Sequence, residues 1–334
     1  MSSLLTSPTA SSRAAGLLFA PIATDLAAVE RVYAETVAHG KPGLARLIQH
    51  LDQYRGKRLR PVLLLLTAHA CGRVTPTHHV LGAVVEMVHT ATLVHDDVLD
   101  EAGLRRHVPT VNAGWGNKAS ILLGDYLFTH AFHLSSTTGD ARACELIGEA
   151  TNRVCEGELQ QTLERGNLSL SEEEYLEIID KKTAALTACC CQLGAYYAEA
   201  EPEVVERLAN YGRSLGIAFQ VADDLLDITG REQTAGKTLG TDLEQLKLTL
   251  PLIHMLENVR PEEATRLRAL LRGRSPQRRE AITEAVETTK AVAYARQKAD
   301  DFAAAARDEL ECLPPSDFRS ILETLTHWSV RREK

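Results

Sequence analysis

Along most of the chain, apolar residues recur about every three or four positions, the spacing that lays one stripe along an α-helix. Over 215–227, Leu215, Phe219, Ala222 and Leu226 form such a stripe, with Gly216, Gln220, Asp223 and Asp227 forming a polar one beside it. Alternating β-branched runs joined by hairpin turn signals are scarce. Proline and glycine interrupt the helical stretches at "HGKPG" (39–43), "CGRVTP" (71–76), "AGWGN" (113–117), "RGNLS" (165–169) and "LPPS" (313–316). "SLSEEEY" (169–175) predicts a capped helix start with acids in its first turn. "LPPSDF" predicts a boundary before a last helix that ends in the basic "SVRREK". No repeat period or composition break divides the chain. The pattern predicts an all-α fold of roughly ten or more helices in one domain spanning 20–334. The Ser/Thr/Ala-rich residues 1–19 read as a flexible tail, and a lone Arg13 makes a weak targeting signal.

Charge narrows the choice of partner. Among 334 residues, 45 Asp and Glu outnumber 37 Lys and Arg, a net of −8, so nucleic acid is not an expected partner. Seven cysteines include the run Cys189-Cys190-Cys191 but no CxxC pair and no zinc-like spacing. Adjacent cysteines on a helix point in different directions, so they read as small buried thiols of a reducing compartment, and a cytoplasmic protein is expected. The apolar run "VLLLL" (62–66) is too short for a membrane span.

Two segments share the spelling Asp-Asp-x-x-Asp: Asp96, Asp97 and Asp100 in "LVHDDVLD", and Asp223, Asp224 and Asp227 in "VADDLLD". On a helix Asp96 stands one turn from Asp100, and Asp223 one turn from Asp227, so each pair repels itself. A single such cluster is most often a solvated helix face. Both copies here follow apolar sequence, "VVEMVHTATLV" and "GIAFQVA", and carboxylates stacked there need a cation. Oxygen-only donors suit a hard ion, and Mg²⁺ takes one or two carboxylates together with water and substrate phosphates. Two helices facing each other across magnesium and a phosphorylated substrate are therefore expected.

The basic groups agree with that expectation. "RGKRLRP" (55–61) carries Arg55, Lys57, Arg58 and Arg60, and "GLRRHVPTVN" (103–112) puts Arg105 and Arg106 directly after the first cluster. A charge run alone is usually a solvated face. Paired arginines next to magnesium carboxylates are instead the parts of a diphosphate clamp, because the guanidinium fork matches phosphate oxygens. Neither GxxxxGK[ST] nor GxGxxG before a helix occurs.

The ordered series "GKRLRP", "HTATLVHDDVLD", "GLRRHVPTVN", "GDYLF", "EGELQQ", "KKTAAL", "GIAFQVADDLLD", "GKTLGTDL" and "LKLTLPLI" resembles the trans-isoprenyl diphosphate synthases, from about residue 20 to the end. The resemblance is to the long-chain type, the octaprenyl and solanesyl diphosphate synthases. It implies a single large helical bundle around a central cavity, the isoprenoid synthase fold, usually as a homodimer. It implies condensation of isopentenyl diphosphate with an allylic diphosphate, farnesyl or geranylgeranyl, by ionisation, condensation and elimination. Residue by residue, Lys57, Arg60, His89 and Arg106 match groups that hold the diphosphate of isopentenyl diphosphate. Asp96, Asp100 and Asp223 match magnesium ligands, with Asp97, Asp224 and Asp227 completing the clusters. Arg105, Lys182 and Lys237 match the clamp on the allylic diphosphate, Thr183 and Gln220 match neighbours of the reacting carbon, and Lys247 matches a further basic position. Arg55 and His107 stand where glycine is common in the family, which puts loop geometry in question but no chemical role.

In this family, bulk before the first aspartate motif limits the growing tail. Thr92 and Ala91 occupy the positions where short-chain synthases carry an aromatic ring, and Val88 lies a further turn back. The resemblance therefore implies a product longer than geranylgeranyl diphosphate. Phe128 and Phe132 could floor the cavity, although aromatics one turn apart are usually core. Three alternatives are a geranylgeranyl diphosphate synthase, a terpene cyclase and a non-catalytic partner subunit. The two full clusters and the "GKRLRP" site weigh against the last two. "SVRREK" allows a peripheral membrane contact for product release, and a solvated helix end explains it equally well.

Overall fold

Proline and capping side chains set many of the helix starts. The structure is a computed structural model that describes residues 17–38, 42–54, 56–105, 108–229, 244–273 and 278–331. Most of the expected tail, Arg55, Arg106, His107, Lys237 with its "GKTLGTDL" motif, and the end of "SVRREK" lie outside the described residues. The helices are α1 (Ala23–Val37), α2 (Pro42–Leu51), α3 (Leu59–Ala70), α4 (Pro76–Leu99), α5 (Val111–Trp115), α6 (Asn117–Ser136), α7 (Ala141–Leu163) and α8 (Glu172–Ile179). They continue as α9 (Ala185–Tyr197), α10 (Pro202–Thr229), α11 (Leu250–Asn258), α12 (Pro261–Arg272), α13 (Arg278–Thr288), α14 (Ala291–Glu309) and α15 (Asp317–Val330). Pro76, Pro202 and Pro261 each open a helix, where a missing N–H costs nothing. Ser171 accepts the Glu174 N–H while the Glu174 carboxylate accepts the Ser171 N–H, the capping box that "SLSEEEY" predicts. Ser316 caps α15 in the same sense, by accepting the Arg319 N–H.

The fold is helical, as the periodicity predicts. The sheet found among the described residues is one two-residue hairpin, β1 (Leu104–Arg105) against β2 (Val108–Pro109), directly after α4. Strands that short leave no alternating pattern to read.

Val62 to Leu66 are fully buried, so α3 is apolar all round and lies against α4 and α9. Two apolar clusters form the interior. One gathers residues of α1, α3, α4, α6, α7, α9 and α15, and the other joins α8 to α11–α14. α10 gives Leu208, Tyr211 and Leu215 to the first, and Ile217, Val221 and Leu225 to the second. Its buried sector is thus wider than the stripe through Leu215, Phe219, Ala222 and Leu226. The helix carrying the second aspartate cluster is thereby fixed on both sides. All seven cysteines are unpaired, and Cys189, Cys190 and Cys191 are buried as expected. Burial pushes the Cys189 thiol up to about 12. No helix among the described residues is long and apolar enough to cross a membrane.

Candidate active site

The first aspartate cluster closes α4. Asp100 falls one residue beyond the helix as its cap, but its N–H still bonds to the Asp96 carbonyl at 2.8 Å, so the two remain one turn apart. The three carboxylates have different surroundings. Asp97, 1% exposed, receives Arg105 Nε at 2.8 Å and Nη2 at 2.7 Å from β1. A buried carboxylate requires such a partner, so Arg105, expected on a diphosphate, spends two N–H groups here. Asn112 supports the turn by donating to the backbone carbonyls of Asp97 and Ala102. Asp100 Oδ1 receives Arg165 Nη2 at 2.7 Å and Lys247 Nζ at 3.0 Å. Asp96 is half-buried, and its pKa is pushed up to about 6 by burial, with Glu158 and Asp100 adding to the rise and Lys182 and Arg105 opposing it.

Lys182 and Thr183 sit on a π turn, Asp180–Ala184, inserted between α8 and α9. One extra residue per turn shifts side chains relative to a regular helix, a device often found at functional sites. Its neighbours hold it in place. Asp180 is buried and takes Arg153 Nη2 at 2.6 Å together with Arg213 Nε at 2.6 Å and Nη2 at 2.9 Å. Gly157 lets α7 approach, because a Cβ there would lie 2.5 Å from the Lys182 backbone nitrogen. Gly216 does the same for α10, where a Cβ would lie 2.7 Å from the Ala184 Cα. Lys182 forms an ion pair with Glu158 and donates to Gln161 Oε1 at 2.9 Å. Burial works against its charge, yet Asp96, Glu158 and Asp100 hold its pKa above that of an ordinary lysine.

On α10, Asp224 and Asp227 are buried and Asp223 is half-buried. Asp224 accepts the Tyr175 hydroxyl at 2.6 Å and Gln220 Nε2 at 2.8 Å, and Gln220 Oε1 accepts the Thr183 hydroxyl at 2.9 Å. A cavity of about 110 Å³ opens here, lined by Lys182, Thr183, Gln220, Asp223, Asp227 and Lys247 among others. Four separate segments, α8 with its π turn, α10, Lys247 with the residues before α11, and Gln161 of α7, converge on one space.

The other expected subsite lies farther back along α4. Arg60 Nη1 meets His89 Nε2 at 2.9 Å, and burial lowers the Arg60 pKa despite the Glu86 charge. His89 precedes Asp96 by two turns, about 10 Å along the helix axis. Arg58, with φ at 51° before α3, pairs with Glu30 at 2.7 Å and Glu86 at 2.6 Å and so anchors this loop. Lys57 is exposed, and its ammonium lies 3.8 Å from the centre of the Trp328 ring on α15. Val88 and Ala91 are fully buried in the first apolar cluster, while Thr92 is half-buried and donates to the His89 carbonyl. Phe128 lies against His95, ring centres 5.8 Å apart, and both Phe128 and Phe132 pack on that cluster.

Sequence reasoning missed five residues: Glu158 and Gln161 beside Lys182, Arg165 on Asp100, Tyr175 on Asp224, and Trp328 under Lys57. Glu158 and Gln161 lie within "EGELQQ", a motif that received no chemical role.

Among the described residues, no three His, Cys, Asp or Glu side chains are grouped closely enough to cage a cation alone. Magnesium does not need such a cage. Half-buried Asp96 and Asp223, oxygen donors beside lysines suited to phosphate, fit an ion that keeps water and substrate ligands.

The polyprenyl synthetase family profile matches residues 41–289. The octaprenyl diphosphate synthase of Escherichia coli (strain K12) is 36% identical over 313 residues, 93% of this chain and 97% of that protein. The polyprenyl synthase of Caulobacter crescentus CB15, solved with calcium and isoprenyl diphosphate, is 35% identical with a TM-score of 0.90, over 96% of this chain and 98% of that one. A decaprenyl diphosphate synthase from Rhodobacter capsulatus is 35% identical with a TM-score of 0.89, over 96% and 99%. With a profile match over most of its length and relatives this similar end to end, the chain belongs to the polyprenyl synthetase family and is a prenyltransferase.

Proposed function

We propose that the protein condenses isopentenyl diphosphate head to tail with an allylic diphosphate, farnesyl or geranylgeranyl, to give a long-chain all-trans polyprenyl diphosphate. The observation that carries this reading is the cavity at Lys182, Thr183, Gln220 and Lys247. It sets ammonium groups for a leaving diphosphate beside a hydroxyl and an amide for a carbon becoming cationic. Asp96, Asp100 and Asp223 would hold Mg²⁺, which when bound would neutralise the diphosphate charge.

Lys182 and Lys247 draw the allylic diphosphate into the cavity, with Arg105 and Lys237 completing the clamp. The C–O bond breaks and its electron pair leaves with the diphosphate. The Thr183 oxygen and the Gln220 carbonyl dipole face the resulting allylic cation, preorganised charge of the kind that lowers such a barrier. Lys57, Arg60, His89 and Arg106 hold isopentenyl diphosphate so that its double bond attacks that carbon, and fixing two reactants in line removes much of the entropic barrier. A proton then leaves to the departing diphosphate.

A homodimer belongs to the same proposal. Trp115 at the end of α5 is 44% exposed, and Ile121 and Leu122 in the first turns of α6 are 46% and 67% exposed, apolar surface suited to a second copy. The unpaired cysteines support a reducing, cytoplasmic setting.

The test incubates purified protein with Mg²⁺, farnesyl diphosphate and labelled isopentenyl diphosphate and sizes the extracted tails by chromatography. Tails longer than geranylgeranyl are expected. Tails ending at geranylgeranyl would make it the shorter-product enzyme, and no labelled product from folded protein would overturn the reading.

A further inference from the structure

We infer that Tyr175 is a positioning residue for the carbon that becomes cationic, acting through Asp224 to fix which way the Gln220 amide and the Thr183 hydroxyl face. The inference rests on the proposed reaction for its catalytic meaning, and on geometry alone for the link itself.

Three hydrogen bonds run in line: Tyr175 OH to Asp224 Oδ2 at 2.6 Å, Gln220 Nε2 to Asp224 Oδ1 at 2.8 Å, and Thr183 Oγ1 to Gln220 Oε1 at 2.9 Å. Their direction is forced. An ionised carboxylate only accepts, so the amide must turn its NH₂ to Asp224 and its carbonyl to Thr183. Thr183 owns a single hydroxyl proton and donates it to that carbonyl, which leaves its lone pairs for the cavity. With the amide reversed, two acceptor oxygens would meet at 2.8 Å. Thr183 would then accept from NH₂ and point its proton at the cavity, the wrong sign beside a cation. The polarity of the two groups nearest the reacting carbon is thus set by where Asp224 holds Oδ1.

Tyr175 holds Asp224. It is 3% exposed on α8, the helix that runs straight into the π turn carrying Thr183, so its bond crosses from the Thr183 segment to the Gln220 helix. Its ring packs in the second apolar cluster with Ile178, Ile179, Val221 and Leu225, and phenylalanine would fill the same hole. The shared spelling of the aspartate cluster hides a division of labour. Asp223 and Asp224 both line the cavity, but Asp223 is half-buried whereas Asp224 is buried and occupied by Tyr175 and Gln220.

The experiment compares wild type, Tyr175→Phe, Asp224→Asn and the double variant in steady-state kinetics with both substrates. It also follows the Gln220 side-chain amide resonance by NMR, assigned through its loss in Gln220→Glu. Tyr175→Phe is expected to lower kcat about tenfold, the scale of one hydrogen bond, with KM for both substrates within about twofold. The double variant should be no slower than Asp224→Asn, because the inference routes the effect of Tyr175 through that carboxylate. A wild-type kcat in Tyr175→Phe, a KM rise that accounts for the loss, or losses that multiply in the double variant would overturn the inference. If wild type itself makes no prenyl product, the reaction assignment fails, and the amide resonance decides the link. A displaced Gln220 NH₂ pair that loses its shift in Tyr175→Phe supports it, and an unchanged pair sinks it.

Discussion

Lys247 Nζ lies 3.0 Å from Asp100 Oδ1, although the two residues stand 147 positions apart in the chain. The contact joins the segment before α11 to the end of α4 and places a second cation on a carboxylate that already holds Arg165. Lys247 is 11% exposed and Asp100 27%, so screening by water is limited. A charge-assisted hydrogen bond contributes about 1.5–3 kcal/mol. Lys247→Ala should therefore lower kcat/KM for the allylic diphosphate about tenfold or more while KM for isopentenyl diphosphate stays put. Equal kcat/KM in variant and wild type would remove Lys247 from the clamp.

Trp328 should set the affinity for the second substrate through Lys57. An ammonium over an indole face gains about 0.5–2 kcal/mol, enough to hold an exposed lysine near the position where a diphosphate would meet it. Trp328→Leu keeps apolar bulk on α15 but removes the ring quadrupole. KM for isopentenyl diphosphate should rise about threefold or more, with the allylic KM unchanged. Kinetics with each substrate varied in turn separate the two, and an unchanged first value counts against the role.

What the sequence could and could not convey follows from how local each feature is. The stacking of Asp96 with Asp100 and of Asp223 with Asp227 depends only on helix pitch, and it is found as the 3.6 period implies, apart from Asp100 standing at the helix cap. The π turn at Asp180–Ala184 depends on neighbours: Gly157 and Arg153 come from α7, and Gly216 and Arg213 from α10. Nothing in "KKTAAL" itself announces it. The pairing of Arg105 with Asp97 depends on a hairpin too short for any periodicity, so spacing alone does not announce it. Tyr175 and Trp328 sit in helical stretches whose pattern reads as ordinary packing, and their polar or ring contacts reach segments far away in the chain.

His78 makes stability depend on pH. Its Nδ1 accepts the Thr75 N–H at 3.0 Å, so the proton of the neutral ring sits on Nε2, which donates to the Gly194 carbonyl at 3.2 Å. Full burial lowers its pKa from the ordinary value, and its bond to the Gly194 carbonyl offsets this only in part. The unfolded chain therefore binds a proton that the folded one refuses. The stabilisation is complete above about pH 6.5 and is lost as pH falls below it, by up to about 1.4 kcal/mol per pH unit. His78→Gln keeps an acceptor at the same helix position and removes the titration. Urea unfolding at pH 7.5 and 5.5 should show a larger drop for wild type than for the variant, and equal drops would contradict the assignment.

Thr92 is the place to ask how long the tail grows. Of the three positions ahead of the first cluster, Val88 and Ala91 are fully buried, so a ring there meets packed core and costs about 1–3 kcal/mol of overpacking. Thr92 is half-buried, one turn before Asp96, and its hydroxyl is spent on the His89 carbonyl. Thr92→Phe can therefore add a ring on the Asp96 side of α4 at less cost to the fold. If the tail passes this face, the variant should release shorter products at a similar rate of first condensation, and chromatography of the extracted tails reads the shift directly. An unchanged product ladder from a folded variant would mean that the tail runs along another face of the bundle, with Phe128 or Phe132 as the next positions to replace.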